Sequence, residues 1–201
     1  MKTAADIRGL ICPMVTPFDD KNQIDFAGVK EVVDFLIANR VNGLMVAGTT
    51  GEGMLLTVEE RKQLFKAVVE HVDDRVPVMA HTGGISTGDV IEMTTYARDV
   101  GATAASAIVP YFYTFADECL LSHYVSVATA VPDLPIFLYV FPGNAKNDVS
   151  PALLGRILDA TDNVVGIKAS NANLMRLEEY IAVSDGDYTI TGRATDYSGN
   201  Q

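Results

Sequence analysis

A lysine interrupts one of the most apolar runs in the chain. Lys168 lies in the segment Val164–Ala169, which otherwise has the composition of a buried strand. Burial strips water from an ammonium group and lowers its pKa, so that the neutral amine can attack a carbonyl carbon. A lysine at a strand end can instead extend its methylenes and keep its charge in solvent. Taken alone, the setting leaves both a surface lysine and a Schiff-base lysine open, and the rest of the chain decides between them.

Two further segments carry groups that could serve the same carbonyl chemistry. The apolar run Pro135–Phe141 contains Tyr139, a phenol that can pass protons to and from a bound carbonyl when a threonine hydroxyl hydrogen-bonds to it. Residues 48–53 combine glycines, which allow close approach of the backbone, with the hydroxyls of Thr49 and Thr50. Such a loop can hold a carboxylate. Packing alone remains the alternative for Tyr139, and a plain glycine-rich turn for the loop.

Short apolar runs recur along the chain at the spacing of a strand followed by a crossover helix. Between them, apolar residues repeat at helical intervals, as in Val29, Val32, Val33 and Leu36. Strands this apolar must be covered on both faces, which predicts an α/β fold with a parallel sheet. The predicted strands are Ile7–Phe18, Gly43–Gly48, Val76–His81, Ala104–Tyr111, Pro135–Phe141, Val164–Ala169 and Tyr188–Thr191.

The starts and stops of the predicted helices carry local signals. A serine or threonine followed three residues later by an acidic residue predicts a capping box, and a serine before a proline predicts an N-cap with proline at the first helical position. Gly101 predicts the end of the third long helix. The predicted starts are Thr57 with Glu60, Ser86 with Asp89, Thr114 with Asp117, and Ser150 with Pro151.

Seven such units in a row favour a (β/α)8 TIM barrel over an open, doubly wound sheet. We expect a single domain over residues 1–201 that is truncated after the seventh strand, because the tail Ala194–Gln201 is polar and has neither a strand nor a helix pattern. In a barrel the chemistry lies where the strands end. Besides Lys168, Tyr139 and the loop, the polar residues at predicted strand ends are Thr16, His81, Thr82, Tyr111 and Arg193.

Charge and composition exclude several classes of partner. The formal net charge is −11 and no basic cluster is present, which opposes binding to nucleic acid or to an anionic membrane. No apolar stretch fits a signal peptide or a membrane span. The three histidines lack the spacing of metal ligands, so no metal is predicted. Two cysteines without a CxxC pair indicate free thiols in a reducing compartment, and the predicted location is cytoplasmic.

Taken together, these segments resemble the dihydrodipicolinate synthase and N-acetylneuraminate lyase family of pyruvate-dependent class I aldolases. Three motifs occur in the order and at the spacing typical of that family, and the opening stretch Gly9–Phe18 is similar to its first strand. The motifs are Gly48-Thr49-Thr50-Gly51-Glu52 for GxxGE, Tyr139-Val140-Phe141-Pro142 for YxxP, and Gly166-Ile167-Lys168 for GxK.

The resemblance implies an imine between Lys168 and the keto carbon of pyruvate or another 2-oxo acid, with Tyr139 transferring protons. It implies that Thr49 and Thr50 hold the carboxylate. No cofactor is implied beyond the covalent imine, the partners are small-molecule 2-oxo acids and aldehydes, and a homotetramer is expected. The remaining predicted substrate-binding residues are Gly48, Tyr111 and Tyr113.

Two departures from the synthase pattern bear on the substrate. The synthases usually carry a second tyrosine where this chain has Phe112, and an arginine where it has Asn144. The stretch that contains Tyr113 resembles the corresponding stretch of sialic acid lyases and sugar-acid aldolases. We therefore predict an aldolase or lyase that acts on a 2-oxo-3-deoxy sugar acid or sialic-acid-like substrate. The alternatives are 4-hydroxy-tetrahydrodipicolinate synthase and an inactive barrel fragment or oxo-acid binding protein.

Overall fold

The fold of the chain is given by a computed structural model that describes residues 3–170, 173–183 and 189–192. Strands and helices alternate along it, after a short 3-10 helix at Ala4–Asp6. The strands are β1 (Ile11–Pro13), β2 (Gly43–Val46), β3 (Val78–His81), β4 (Ala104–Ile108), β5 (Ile136–Val140), β6 (Val164–Ala169) and β7 (Thr189–Gly192). The helices are α1 (Phe26–Ala38), α2 (Val58–Val72), α3 (Thr87–Asp99), α4 (Asp117–Ala130), α5 (Pro142–Ala145), α6 (Pro151–Asp159) and α7 (Leu174–Val183).

All seven described strands join one parallel sheet in sequence order, from β1 to β7. This order is the one in which a (β/α)8 barrel is wound, with each helix crossing the outside of the sheet. Strands β2 to β5 are wholly buried and β6 is largely so, and the helices that cover them contribute further apolar side chains to the core. The α/β prediction and the succession of strand and helix are therefore confirmed. The predicted tail Ala194–Gln201 and Arg193 lie outside the described residues.

Each of the seven predicted strands is present among the described residues, but most are predicted too long; Tyr188, the predicted start of the last, lies outside those residues. The first, predicted as Ile7–Phe18, pairs only over Ile11–Pro13. Gly9 has a φ of +78°, which turns the chain before the strand, and Pro13 lacks an N–H for further pairing. β2 ends at Val46 because the next residue, Ala47, has a φ of +54°.

Two of the four predicted helix starts are confirmed in full. The Thr57 hydroxyl accepts from the Glu60 N–H, and the Glu60 carboxylate accepts from the Thr57 N–H. The Ser150 hydroxyl accepts from the Leu153 N–H, with Pro151 at the first helical position. The third helix also stops as predicted, since Asp99 is its last residue and Gly101 follows with a φ of +89°.

The other two predicted capping boxes are wrong. Ser86 is the N-cap of α3, but its side chain makes no capping hydrogen bond. Helix α4 begins after Ala116, not after Thr114. The Phe115 N–H donates to the side chain of Asn147, at 2.9 Å, so the chain is held in the preceding loop until it has passed Thr114.

A buried histidine links two helices of the outer layer. His123 of α4 is 4% exposed, and its Nδ1 lies 2.9 Å from the Thr87 hydroxyl at the start of α3. Its ring packs edge-on against Tyr124. Burial lowers the pKa of His123 from 6.5 to about 4, because a charged ring would lose its hydration there.

We expect His123 to make stability depend on pH. The pKa in the folded chain lies below the unfolded value, so between about pH 6.5 and pH 4 the unfolded state binds a proton that the folded state does not. Stability from this group is complete above pH 6.5 and is lost as the pH falls. Between pH 7.5 and 5.0 the cost is about 2 kcal/mol. Urea unfolding at both values should show His123→Asn losing about 2 kcal/mol less than wild type; an equal loss in both contradicts the prediction.

Both cysteines are free thiols, with Cys12 partly buried and Cys119 exposed. Within the described ranges, no helix combines the length and the apolar character needed to span a bilayer.

Candidate active site

Lys168 and Tyr139 face each other on neighbouring strands. They are register partners in the pairing of β5 with β6, so both side chains leave the same face of the sheet. The Lys168 Nζ lies 3.4 Å from the centroid of the Tyr139 ring, and it donates to the Ser170 hydroxyl at 3.1 Å. Lys168 is half-buried. Its amine therefore stands directly over the phenol that was predicted to transfer protons.

The Tyr139 phenol is joined to the glycine-rich loop by a hydroxyl. The Tyr139 oxygen and the Thr49 hydroxyl are 3.2 Å apart, although 90 residues separate them in the sequence. Burial raises the pKa of Tyr139, but the positive charge of Lys168 and hydrogen bonds with Thr49, Lys168 and Ser170 outweigh it. The net pKa is lower than the ordinary value of 10.0. A phenol that gives up its proton more readily is better suited to proton transfer near neutral pH.

The loop after β2 is folded back tightly on itself. The Gly53 N–H donates to the Gly48 carbonyl at 3.1 Å, and the Thr16 hydroxyl donates to the Gly51 carbonyl at 2.7 Å. Glu52 has a φ of +53°, a conformation that non-glycine residues adopt at a cost. This folding leaves the side chains of Thr49 and its neighbour Thr50 exposed at the carboxyl end of the sheet.

Replacing Gly53 with alanine should disrupt this loop. A Cβ at Gly53 would stand 1.8 Å from the backbone oxygen of Ala47, so the loop must move. We expect a loss of about 1 to 3 kcal/mol in the free energy of unfolding. Gly88→Ala is the matched control, since its Cβ would meet only the Ser86 hydroxyl at 3.6 Å within α3. Thermal unfolding that leaves Gly53→Ala as stable as Gly88→Ala would contradict the interpretation.

The loop between β4 and α4 contains the two other predicted substrate-binding tyrosines. Tyr111 is half-buried, whereas Tyr113 is 62% exposed and packs its ring against Phe112, not against Tyr139. Asn147 holds this loop: its amide donates to the carbonyls of Pro110 and Tyr113, each at 2.7 Å. Within the described part of the chain, the contacts of Lys168, Tyr139 and Thr49 form one group, and Tyr113 is not among them.

Two further residues lie near this group: His81, which was predicted only as a polar residue at a strand end, and Arg61, which was not predicted to have a role. His81, at the end of β3, packs edge-on against the Tyr139 ring with 5.6 Å between ring centroids. Arg61 is 4% exposed and reaches from α2 to the end of β3. The sequence does contain a signal for Arg61, because it falls at helical spacing on the apolar face formed by Leu64, Phe65 and Val68. Across the described ranges, no cluster of three or more His, Cys, Asp or Glu residues could hold a metal ion.

A curated relative and a solved structure are each similar to this chain over more than nine tenths of its length. The curated 4-hydroxy-tetrahydrodipicolinate synthase of Ralstonia nicotianae is 34% identical over 194 residues, which cover 96% of this chain and 63% of the relative. YagE from Escherichia coli, a protein of the dihydrodipicolinic acid synthase family solved in complex with pyruvate, is 33% identical with a TM-score of 0.89. The match covers 92% of this chain and 63% of YagE.

N-acetylneuraminate lyase from Mycoplasma synoviae is also similar, with 31% identity and a TM-score of 0.84 over 94% of this chain and 63% of the lyase. The chain thus spans less than two thirds of the length of these relatives. The model of the dihydrodipicolinate synthetase family matches residues 6–197. With nearly the whole sequence matched and the fold reproduced, this chain belongs to the dihydrodipicolinate synthetase family.

Proposed function

We propose that this chain carries the pyruvate-binding site of a class I aldolase or lyase, in which Lys168 forms an imine with a 2-oxo acid. The observation that carries the proposal is the placement of the Lys168 Nζ 3.4 Å from the Tyr139 ring, whose hydroxyl is 3.2 Å from that of Thr49. An amine, a phenol of lowered pKa and a hydroxyl are the groups that imine formation needs.

The reaction follows from these groups. The neutral amine of Lys168 adds to the keto carbon, and one of its protons passes to the former keto oxygen to give a carbinolamine. Tyr139 then donates its proton to the carbinolamine hydroxyl, which leaves as water while the nitrogen forms the C=N bond and keeps its remaining proton. The Tyr139 phenolate recovers a proton in the next step, from the methyl group. The protonated imine draws electrons from the methyl group, which loses a proton to give an enamine. The enamine carbon can then bond to the carbonyl carbon of an aldehyde, or the reverse reaction can break that bond.

The loop after β2 is proposed to bind the carboxylate of the 2-oxo acid. Thr49 and Thr50 offer hydroxyl donors at the carboxyl end of the sheet, and the glycines of the loop allow its backbone to approach a ligand closely. Because Thr49 also contacts Tyr139, a bound carboxylate would hold the substrate beside the phenol. Tyr111 is the remaining tyrosine that we include in the substrate-binding set.

For the second substrate, the curated relatives favour the synthase alternative over the sugar-acid lyase predicted from the sequence. The Ralstonia nicotianae relative is named 4-hydroxy-tetrahydrodipicolinate synthase. The lyase remains the second candidate because Phe112 and Asn144 stand where the synthase pattern has tyrosine and arginine. Without that arginine, an aldehyde that carries a carboxylate lacks its expected charged partner.

The proposal is tested by incubating the chain with pyruvate and sodium borohydride and measuring its intact mass. We expect one reduced pyruvate adduct, located on Lys168 by a peptide map. An adduct without turnover on any aldehyde would favour the oxo-acid binding protein, and no adduct would overturn the proposal. Turnover of pyruvate with an aldehyde that carries a carboxylate, compared with cleavage of 2-oxo-3-deoxy sugar acids, separates the two candidate reactions.

We also propose that the chain associates with copies of itself, as the expected tetramer requires. Phe112 is 65% exposed beside the exposed ring of Tyr113, in a loop that Asn147 holds in place. A rigid loop presenting two large apolar rings is suited to a protein interface. Light scattering coupled to size exclusion should give a mass of more than one chain, and Phe112→Ser should lower it.

A further inference from the structure

Arg61 is a buried guanidinium held entirely by uncharged groups. Its terminal nitrogens donate to the carbonyl oxygens of Gly83, at 2.8 Å, and His81, and to the His81 ring nitrogen Nδ1, at 3.0 Å. It makes no ion pair with any described carboxylate. Burying a charge without a counterion costs free energy, and an apolar residue at this position of α2 would avoid that cost. The arrangement therefore requires a reason other than packing.

The contact with Arg61 fixes the state of the His81 ring. An arginine can only donate, so Nδ1 must accept and the ring hydrogen of neutral His81 must be on Nε2. Protonation would place a hydrogen on Nδ1, facing the guanidinium. Burial, Arg61 and Lys168 all lower the pKa of His81 well below its ordinary value. The ring is thus an uncharged group with one orientation, although it lies close to two cations.

His81 in turn supports Tyr139. The two rings meet edge to face, with an interplanar angle of 88° and 5.6 Å between centroids. On its other sides the Tyr139 ring meets the Lys168 amine at 3.4 Å and the Phe141 ring, stacked at 6.3 Å. His81 is 1% exposed, so it has no room to turn away. A phenol surrounded in this way keeps its hydroxyl directed toward Thr49.

We propose that Arg61 and His81 are positioning residues for Tyr139: Arg61 locks the His81 ring, and the locked ring holds the phenol beside Lys168 and Thr49. The inference rests on the proposed function for its catalytic consequence, since Tyr139 is the group that exchanges protons there. Neither residue touches the reacting atoms. Misplacement of a proton donor by about 1 Å can cost about 100-fold in rate, so a rigid support for Tyr139 has a direct effect on the reaction.

The test compares variants that separate the effect of the His81 ring from the effect of its hydrogen bond with Arg61. His81→Asn keeps an acceptor for Arg61 but removes the ring, whereas His81→Phe keeps the ring but removes the acceptor. Arg61→Met removes the guanidinium, and Arg61→Lys is the milder change should the first fail to fold. His123→Asn is the matched control, because it removes another buried histidine ring, on α4. Circular dichroism establishes that each variant is folded.

The first readout needs no substrate. Carbon-13 labelling of the tyrosine ring allows the titration of Tyr139 to be followed by NMR, with Tyr139→Phe identifying its signal. In His81→Asn and Arg61→Met we expect its pKa to move up toward the ordinary value, because the phenol loses its fixed contacts with Lys168 and Thr49. His123→Asn should leave it unchanged. An unchanged titration in folded His81→Asn and Arg61→Met overturns the inference, whether or not the chain reacts with pyruvate.

The second readout is the rate of pyruvate adduct formation under borohydride. We expect the limiting rate of His81→Asn and Arg61→Met to fall by about 10- to 100-fold while the pyruvate concentration at half the limiting rate stays the same, since the carboxylate-binding loop is intact. His81→Phe should retain more of the rate than His81→Asn. A wild-type chain that forms no adduct refutes the proposed function, and the NMR titration still decides the inference; a wild-type adduct with equal rates in all folded variants overturns the inference alone.

Discussion

Lys168→Met should form no reduced adduct with pyruvate and borohydride and should have no measurable activity on any 2-oxo acid. Methionine is close to lysine in length and lacks the amine, so the change removes the nucleophile while filling the space beside Tyr139. Because every step proposed after binding passes through the imine, the expected loss is complete and cannot be offset by tighter binding. The measurements are intact mass after reduction and turnover of pyruvate with aldehydes.

The matched control for this change is Lys62→Met. The Lys62 Nζ lies over the ring of Tyr96, 5.2 Å from its centroid, and also pairs with Glu92. It therefore reproduces a lysine over a tyrosine on the outer helices, away from the sheet end. We expect the Lys62 variant to form the adduct as wild type does. An adduct of undiminished yield on Lys168→Met, mapped to another lysine, would contradict the assignment of Lys168 as the residue that forms the imine.

The central part of the site could be predicted from the sequence because it depends on local patterns. The run Val164–Ala169 is mostly apolar and contains no proline, and its predicted bounds agree with β6. Parallel strands that end on one edge of a sheet bring their last residues together. For that reason Tyr139, Lys168 and the loop at Thr49 could be expected to meet, although no pair of them is close in sequence.

Other parts of the site depend on tertiary contacts that no local pattern encodes. The position of Arg61 predicts a buried side chain. Its partners are two backbone oxygens and the His81 ring at the end of another strand, and no local pattern reveals this pairing. Helix α4 begins later than the sequence predicts, because Asn147, from a distant segment, accepts a hydrogen bond from the Phe115 N–H. The exposure of Tyr113 likewise follows from how this loop is held, and its role in substrate binding stays a prediction.

The second large effect is expected for Tyr139→Phe, which removes one oxygen and keeps the ring. The Lys168 amine would still lie over an aromatic face, and the edge-to-face contact with His81 would remain. What is lost is the hydroxyl that contacts Thr49 and gives and takes protons. We expect the rate of imine formation and of turnover to fall by about 100- to 10,000-fold, the range for a general acid–base group.

A pH profile distinguishes this loss from simple disruption of the site. If Tyr139 transfers protons, the wild-type rate should have a limb set by its phenol, at a pKa that the charge of Lys168 and the hydroxyl of Thr49 help to lower. That limb should be absent in Tyr139→Phe. Tyr96→Phe is the matched control, since it removes a phenol that also lies under a lysine but on the outer helix α3. Equal rates for Tyr139→Phe and Tyr96→Phe would mean that the Tyr139 hydroxyl takes no part in the chemistry. The proton for the departing water would then have to come from solvent or from the substrate itself.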